Sequence, residues 1–302
     1  MNSFSPWKLT LRRKTAWFSL SIMFALTLAA VLAPRLAPHD PYRFHITARN
    51  RPPVWVQNRA QPGLPEFPLG TDAFGRDILS RLLYGARTAL FLAFTAVPLA
   101  ALVGAAIGLA AGYRGGRLDS AIMFLAELVQ SLPAIMFMVI TILIFRSLLA
   151  PTWANGLLSL VIGFAAVAWV GLARLVRISV QVLRSQTFIE AAVALGATPL
   201  QVILRHLLPN TRHIILAWVI NTIPAVILME AILGYIGVGV TAAVDGGEFT
   251  AVSWGGLFFS GRSALSSNPL MLAIPSICIL LISLSFILLA DDLNETSLQS
   301  RL

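Results

Sequence analysis

Charged residues are scarce in this sequence, and their scarcity excludes an ordinary soluble protein. They make up 12% of the 302 residues, whereas hydrophobic residues make up 57%. A soluble domain typically contains about 25% charged and about 45–50% apolar residues. The chain instead divides into long apolar blocks, which predicts a protein of the lipid bilayer. The net charge of +9 does not indicate a nucleic-acid partner, because the charges lie in short strips between these blocks.

Cysteine and lysine are almost absent, and so are the common catalytic motifs. The single cysteine, Cys278, excludes an intramolecular disulfide and leaves the redox compartment open. Lys8 and Lys14 are the only lysines and neither follows a glycine, so the chain has no Gly-x4-Gly-Lys-Ser/Thr phosphate-binding loop. It contains neither a His-Glu-x-x-His zinc motif nor a Gly-x-Ser-x-Gly nucleophile motif. We therefore predict no catalytic residue and no metal site, which leaves a conduit, a scaffold or an anchor.

Six apolar stretches are long enough to cross a bilayer, for which a helix needs about 20 apolar residues. They must be helical, because lipid offers no hydrogen-bond partner to an unpaired backbone group. Pro98, Pro133, Pro224 and Pro275 lie inside four of them, which favours a packed bundle with a pathway over inert anchors. The stretches are 16–34, 87–112, 120–145, 155–173, 214–238 and 269–290.

The first stretch follows a strip of basic residues, so it is either a cleavable signal peptide or a retained membrane helix. No small-x-small cleavage site lies cleanly at its end, which favours a retained helix at 16–34. The basic strip also predicts a cytoplasmic N-terminus, and six spans return the C-terminus to the same side. We thus expect cytoplasmic tails at 1–15 and 293–302 and a core transmembrane domain at 87–292.

A long loop, residues 35–86, separates the first two stretches and is expected on the extracytoplasmic side. Its many prolines predict an extended, irregular course. Near its end, Thr71 or Asp72 is expected to cap a short interfacial helix that includes Leu79 and Leu83.

The most informative segment, residues 186–210, lies between the fourth and fifth stretches. Its small residues, followed by a glycine, predict a short helix, a sharp turn and a second helix from about 199 to a Leu-Pro stop. Such an element fits a docking site for a cytoplasmic partner, although an ordinary interfacial helix is the alternative. Its landmark residues are Glu190, Ala191, Ala192, Gly196, Leu208 and Pro209.

This segment resembles the Glu-Ala-Ala loop of ABC-importer permeases, whose pattern is EAA-x3-G-x9-I-x-L-P. The landmark residues match that pattern at its spacing, and His206 replaces its isoleucine, as in the peptide-importer branch. Residues 69–87, 112–119 and 230–255 contain motifs similar to those of the C-type permease of the dipeptide, oligopeptide and nickel importers. Residues 35–68 and 241–252 carry no match.

The resemblance implies an all-α permease with six transmembrane helices, of the type I ABC-importer kind, in the bacterial plasma membrane. It would translocate di- or oligopeptides or a related small solute, and 186–210 would couple it to an ATPase. The implied partners are a second permease subunit, two cytoplasmic ATPase subunits that bind ATP and Mg, and an extracytoplasmic substrate-binding protein. The chain itself would be no enzyme and need no cofactor. The alternative is a non-transporting scaffold that recruits a cytoplasmic partner through 186–210; an exporter is disfavoured, because the loop is an importer feature.

Two glutamates lie inside apolar stretches, where an unpaired ionised carboxylate is costly. Glu127 and Glu230 each either line the translocation path or gate, or have a structural role with a partner or at water. Three glycines spaced four residues apart in the second stretch predict a groove for close helix approach, within the subunit or against a partner. These are Gly104, Gly108 and Gly112.

Overall fold

The computed structural model describes most of the chain, and the secondary structure of the described part is helical apart from one isolated β-bridge between Thr71 and Asp77. This confirms the predicted all-α class. Most of the tails predicted at 1–15 and 293–302, and nearly all of the unmatched stretch 241–252, lie outside the part described in full. The described residues are 14–56, 62–148, 153–239, 251–262 and 269–299.

Five of the helices are long and apolar enough to cross a membrane, and a bent pair, Gly116–Ser131 and Ala134–Leu148, makes a sixth span if it counts as one. A 3-10 turn at Ile46–Ala48 and a π-helical turn at Ile203–Leu207 accompany the α-helices. The α-helices are α1 (Lys14–Val31), α2 (Ala33–Leu36), α3 (Ile78–Arg114), α4 (Gly116–Ser131), α5 (Ala134–Leu148), α6 (Trp153–Arg184), α7 (Thr187–Ala194), α8 (Pro199–Val202), α9 (Leu208–Tyr235), α10 (Trp254–Gly261) and α11 (Leu270–Gln299).

The third apolar stretch differs from the single helix that the sequence predicts over 120–145. It consists of α4 and α5, which meet at an angle of 95°. Leu132, at the break, is extended with φ −92° and ψ 145°. The reason is Pro133, because the proline ring clashes with a helical conformation of the residue before it.

The start of the second span also differs from the prediction. The sequence predicts a separate interfacial helix capped by Thr71 or Asp72, but residues 78–86 are the first turns of α3, which is 37 residues long. Its cap is Asp77, whose side chain accepts a hydrogen bond from the backbone N–H of Ser80 at 3.0 Å. Asp72 is not available as a cap, because its carboxylate binds two backbone N–H groups and a guanidinium within its own turn.

The glycine groove of α3 packs against α6 within the same subunit. A Cβ atom at Gly108 would lie 2.6 Å from the carbonyl oxygen of Ala173 and 2.8 Å from Cβ of Val176. Gly104 and Gly112 meet the same helix one turn earlier and later. Absence of side chains therefore lets the two backbones touch, and these helices form the centre of the bundle.

The bundle has two ends, which we call the cap end and the hairpin end. The cap end comprises residues 37–56, residues 62–77 and α10, and the hairpin end comprises residues 186–207. At the hairpin end, the hydroxyl of Thr15 in α1 donates a hydrogen bond to Oδ2 of Asp292 in α11 at 2.7 Å. The first span therefore begins at the end of the bundle that carries the hairpin, and the last span finishes there.

The proline-rich segment at the cap end is irregular, as its composition predicts, but it is held in place. Arg51 and Thr71 exchange hydrogen bonds, each from a backbone N–H and each 3.0 Å long. The N–H of Asn50 donates to the carbonyl of Asp72 at 3.0 Å, and the Thr71 hydroxyl donates to the carbonyl of Ala48. The first half of this loop is thus packed onto its second half.

Candidate functional site

Residues 186–207 form a hairpin of two short helices that projects from the bundle. Helix α7 is followed by Gly196, whose φ of +87° lies in the left-handed region that glycine adopts without strain. Thr198 then starts the second arm with a capping box: Gln201 Oε1 accepts from the N–H of Thr198 at 2.8 Å, and the Thr198 hydroxyl accepts from the N–H of Gln201. The turn predicted at Gly196 is therefore present, with a helix on each side.

The second arm does not stop at Leu208-Pro209, and this part of the prediction is wrong. Helix α8 runs through the π-helical turn directly into α9. The N–H of Leu208 donates to the carbonyl of Ile203, five residues back, so the backbone is widened just before the proline. A wider turn gives the proline ring room where a regular α-helix would clash. The second arm of the hairpin is consequently a continuous extension of a membrane-spanning helix.

The inner side of the hairpin is packed against the bundle. Ile189 of α7, Val202 of α8 and Leu207 of the π turn are each at most 2% exposed. They belong to one buried cluster with Val176 and Val180 of α6. Because both arms share this core, a force on the hairpin is transmitted to α6 as well as to α9.

The outer side of the hairpin exposes large apolar side chains. Leu195, directly before the turn glycine, is 90% exposed, and Leu200 is 64% exposed. Phe188, Val193 and Leu204 are also exposed. An apolar patch at the tip of a projecting element is typical of a protein-binding surface. Several arginines at this end of the bundle are also exposed, namely Arg114, Arg117, Arg184, Arg205 and Arg212.

The landmark residues fall into two groups in the structure. Glu190 is exposed in the first turn of α7, where a carboxylate stabilises the helix dipole. Ala191 is exposed, Ala192 is half-buried, and Gly196 has open space around it. Leu208-Pro209 lies beyond the π turn at the base of the hairpin, away from the tip. The structure thus brings together the landmark residues of the first arm and the turn, residues 190–196. It places Leu208 and Pro209 where the hairpin joins α9.

Glu230 lies in α9 near the cap end and is 3% exposed. Its Oε2 accepts a hydrogen bond from the backbone N–H of Gly255, the second residue of α10, at 3.3 Å. Its Oε1 has no hydrogen-bond partner in the described part of the chain. The Glu230 side chain borders a cavity of about 10 Å³, whose otherwise apolar lining includes Leu92, Met138 and Phe164. In this conformation the carboxylate faces α10 and the bundle interior.

Glu127 has a different environment, because it is exposed on α4 together with Gln130 and Ser131. No ion pair to Glu127 occurs among the residues that the structure describes. An ionised carboxylate that faced lipid tails would be costly, so this polar strip requires protein or water next to it. Glu127 and Glu230 lie on different helices, and the structure does not place them in one site.

An ion pair at the hairpin end was not predicted from the sequence. Arg177 of α6 binds both carboxylate oxygens of Asp119 in α4, with an Nη2–Oδ2 distance of 2.6 Å, and Gln181 contacts the same oxygen at 3.4 Å. The contact connects the amino end of α4 to α6. An arginine just after the fourth apolar stretch was the available signal, but its partner is 58 residues away in the chain.

Buried charges also connect the cap end. Asp72 Oδ2 lies 2.7 Å from Nε of Arg76 and 3.8 Å from Nε of Arg81. Arg76 also donates from Nη2 to the hydroxyl of Ser260 in α10 at 3.2 Å. The described residues contain no group of three or more His, Cys, Asp or Glu side chains placed to hold a metal ion. The network therefore ties the loop to α10.

Two family models match the chain, and together they cover most of it. The model described as the binding-protein-dependent transport system inner membrane component matches residues 104–295. The model described as the N-terminal TM domain of oligopeptide transport permease C matches residues 5–53. The fold and these matches define a multi-pass membrane subunit of a transport system. The chain belongs to the family of binding-protein-dependent transport system inner membrane components.

Curated relatives align with nearly the whole chain. The dipeptide transport system permease protein DppC of Bacillus subtilis is 31% identical over 290 residues, which cover 96% of this chain and 83% of the relative. The oligopeptide permease protein OppC of the same organism is 29% identical, with coverage of 97% and 89%. The di/tripeptide permease protein DppC of Pseudomonas aeruginosa is 29% identical, with coverage of 96% and 89%. A chain of the inward-facing MetNI methionine ABC transporter matches at 21% identity and a TM-score of 0.48, covering 71% of this chain and 95% of that one.

These findings establish the class of function. The chain is a transmembrane permease subunit of an ATP-driven ABC importer and lies in the inner membrane as a multi-pass protein. It is not an enzyme and needs no cofactor of its own, because its relatives are permease subunits rather than ATPases. The alternative of a non-transporting scaffold finds no support among them.

Proposed function

We propose that this permease subunit imports short peptides and that its hairpin couples it to an ATPase. The relatives that support the cargo are named as permeases for dipeptides, di/tripeptides and oligopeptides. The observation that carries the coupling role is the exposed apolar tip around Leu195 and Gly196, built on a continuous extension of α9. A binding partner that grips this tip can move a membrane-spanning helix without an intervening flexible joint.

The proposed complex contains four further subunits of three kinds. A second permease subunit pairs with this one, two ATPase subunits hold ATP and Mg, and a substrate-binding protein delivers peptide at the cap end. The hairpin occupies a groove of one ATPase, with Phe188, Leu195 and Leu200 as apolar contacts and Glu190 at its rim. Closure of the ATPases on ATP would then shift α6 and α9 together, because both share the hairpin core.

The two membrane glutamates have separate proposed roles along the path. Glu127, with Gln130, faces the second permease subunit or the water-filled path, because lipid is a poor neighbour for a carboxylate. Glu230 belongs to the gate at the cap end, next to α10. Each proposed role follows from the face of the helix on which the glutamate side chain lies.

We further propose that the hairpin end is cytoplasmic, with both chain termini on that side, and that the cap end is extracytoplasmic. Single cysteines in place of the exposed Arg49 and Leu195, each on a Cys278→Ser background, test this. A membrane-impermeant maleimide should label Arg49→Cys in right-side-out vesicles and Leu195→Cys in inverted vesicles. Labelling of both from the same side would contradict the proposed topology, and the cysteine-free parent measures the background.

Uptake of labelled peptides tests the transport role directly. Vesicles should contain this subunit, its second permease and the ATPases, with ATP inside and loaded binding protein outside. We expect di- or tripeptide uptake that stops when ATP is replaced by a non-hydrolysable analogue. Stimulation of ATP hydrolysis by a nickel complex or another solute, without any peptide uptake, would show that the peptide assignment is wrong.

A further inference from the structure

Helix α10 is inserted as a wedge at the cap end, where it contacts α3, α9 and α11. Trp254, its first residue, is 1% exposed, and its indole N–H donates to the backbone carbonyl of Leu82 in α3 at 3.0 Å. Just before the wedge, the carbonyl of Val252 accepts a hydrogen bond from the hydroxyl of Thr88 at 2.6 Å. We call residues 254–261 the wedge.

The wedge fits so closely that only glycine is possible at its contact points. A Cβ atom at Gly255 would lie 2.7 Å from the carbonyl oxygen of Glu230 and equally close to its Oε1. A Cβ atom at Gly85 would lie 3.0 Å from the indole nitrogen of Trp254. The wedge therefore rests directly on the backbones of α9 and α3.

Each half of the wedge is held by one charged side chain. At the amino end, Glu230 accepts from the N–H of Gly255, where the helix dipole favours a negative charge. In the last turn, Arg76 donates to the hydroxyl of Ser260 at 3.2 Å. Arg76 is itself fixed by its 2.7 Å contact with Asp72.

The two anchors differ in how well their hydrogen-bonding capacity is used. The Glu230 carboxylate has one hydrogen bond of 3.3 Å, and its second oxygen, although buried, has none among the described residues. The Ser253 hydroxyl lies beside this carboxylate; it accepts from the N–H of Gly256 as the helix cap and keeps its own proton to donate to Glu230. Buried polar atoms without partners destabilise the state that buries them. The Oε1 atom without a partner therefore lowers the free-energy cost of breaking the contact between Glu230 and the wedge.

We propose that Glu230 is a positioning residue for transport: it holds the amino end of the wedge against α9, and this contact breaks when the cap end opens. The proposal rests on the proposed function, since it assigns the wedge to the gate through which substrate enters. Glu230 acts through the wedge and touches no substrate while the gate is closed.

A thiol reporter next to the wedge tests this proposal without any transport. Val252 is 4% exposed and close to cysteine in size, so Val252→Cys on a Cys278→Ser background should label slowly with an impermeant maleimide. In complete complexes in nanodiscs, without substrate, Glu230→Gln should raise the labelling rate roughly fivefold, because the amide oxygen can still accept from the N–H of Gly255 but makes a weaker, uncharged hydrogen bond. Glu230→Asp, whose carboxylate is drawn back by one methylene, should give an intermediate rate and provides the test if the glutamine variant does not assemble.

Thr222→Val on the same helix is the matched control, because the Thr222 hydroxyl bonds only within α9, to the carbonyl of Trp218. It should label at the wild-type rate. The second measurement is ATP hydrolysis: Glu230→Gln should raise the basal rate and so lower the ratio of substrate-stimulated to basal hydrolysis.

Unchanged labelling in both Glu230 variants would overturn the proposal, and so would faster labelling with an unchanged hydrolysis ratio. Labelling is measured without cargo, so it decides the position of the wedge even if peptide uptake fails. Failure of peptide uptake in the wild type would count against the cargo assignment alone.

Discussion

Replacing Gly196 by aspartate is expected to uncouple the permease from its ATPases while leaving the subunit folded. Apart from the adjacent residues of the chain, no atom of the described residues lies within 4 Å of the position that a Cβ would occupy, so the new side chain has open space around it. The cost to folding is only the strain of φ +87°, about 1 kcal/mol. In the ATPase groove, however, a charged side chain would lie beside Leu195 at the centre of the apolar contact. We expect the affinity for the ATPase to fall about tenfold or more, equivalent to about 1.4 kcal/mol.

Gly116→Asp provides the matched control for this change. Gly116 also has a positive φ, +60°, has no atom within 4 Å of its Cβ position, and lies at the same end of the bundle outside the hairpin. Co-purification of the ATPases and ATP hydrolysis stimulated by loaded binding protein should be lost in the Gly196 variant and retained in the control. Normal values for both measurements in Gly196→Asp would rule out the coupling role of the hairpin.

Replacing Gly108 is expected to have the largest effect on stability. A methyl group there would lie 2.6 Å from a backbone oxygen of α6, and neither backbone can yield without separating the central pair of helices. Alanine normally stabilises a helix by about 1 kcal/mol relative to glycine. Here overpacking, which costs about 1–3 kcal/mol, should outweigh that gain and lower the free energy of unfolding of Gly108→Ala. Gly108→Leu should fail to accumulate as a folded subunit.

Ala106 supplies the comparison for the leucine variant, because it is exposed and lies on the same helix two residues earlier. Ala106→Leu adds the same apolar volume on the outer side of α3 and should accumulate normally. Thermal unfolding followed by tryptophan fluorescence, together with the yield of membrane-inserted protein, measures both effects. Equal unfolding midpoints for Gly108→Ala and the wild type would show that α3 and α6 are not closely packed.

Features that depend only on residues adjacent in the chain were predictable from the sequence. The apolar blocks predicted membrane-spanning helices, because burial in lipid requires a long uncharged run wherever the chain crosses. The glycine after Glu190-Ala191-Ala192 predicted the turn of the hairpin, because a left-handed backbone favours glycine in any context. The irregular course of the proline-rich loop has the same local origin.

The positions of other helix ends depended on competition between possible hydrogen-bond partners. The carboxylate of Asp72 is bound within its own turn, so Asp77 rather than Asp72 caps α3. The Leu208-Pro209 pair signals a helix stop, yet a single π turn accommodates the proline and lets the helix continue into the membrane. Local propensity could not reveal these outcomes, because each one depends on which hydrogen bonds the rest of the fold supplies.

The sequence by itself determined the class of this protein: an all-helical membrane subunit with a Glu-Ala-Ala loop of recognisable pattern. Hydrophobicity and backbone preference are local properties, and they suffice for that much. Tertiary structure alone decided that Asp119 pairs with Arg177, that the glycine groove is filled by α6, and that Glu230 contacts the amino end of α10. Each of these depends on groups that are distant in the chain and become neighbours only when the helices pack.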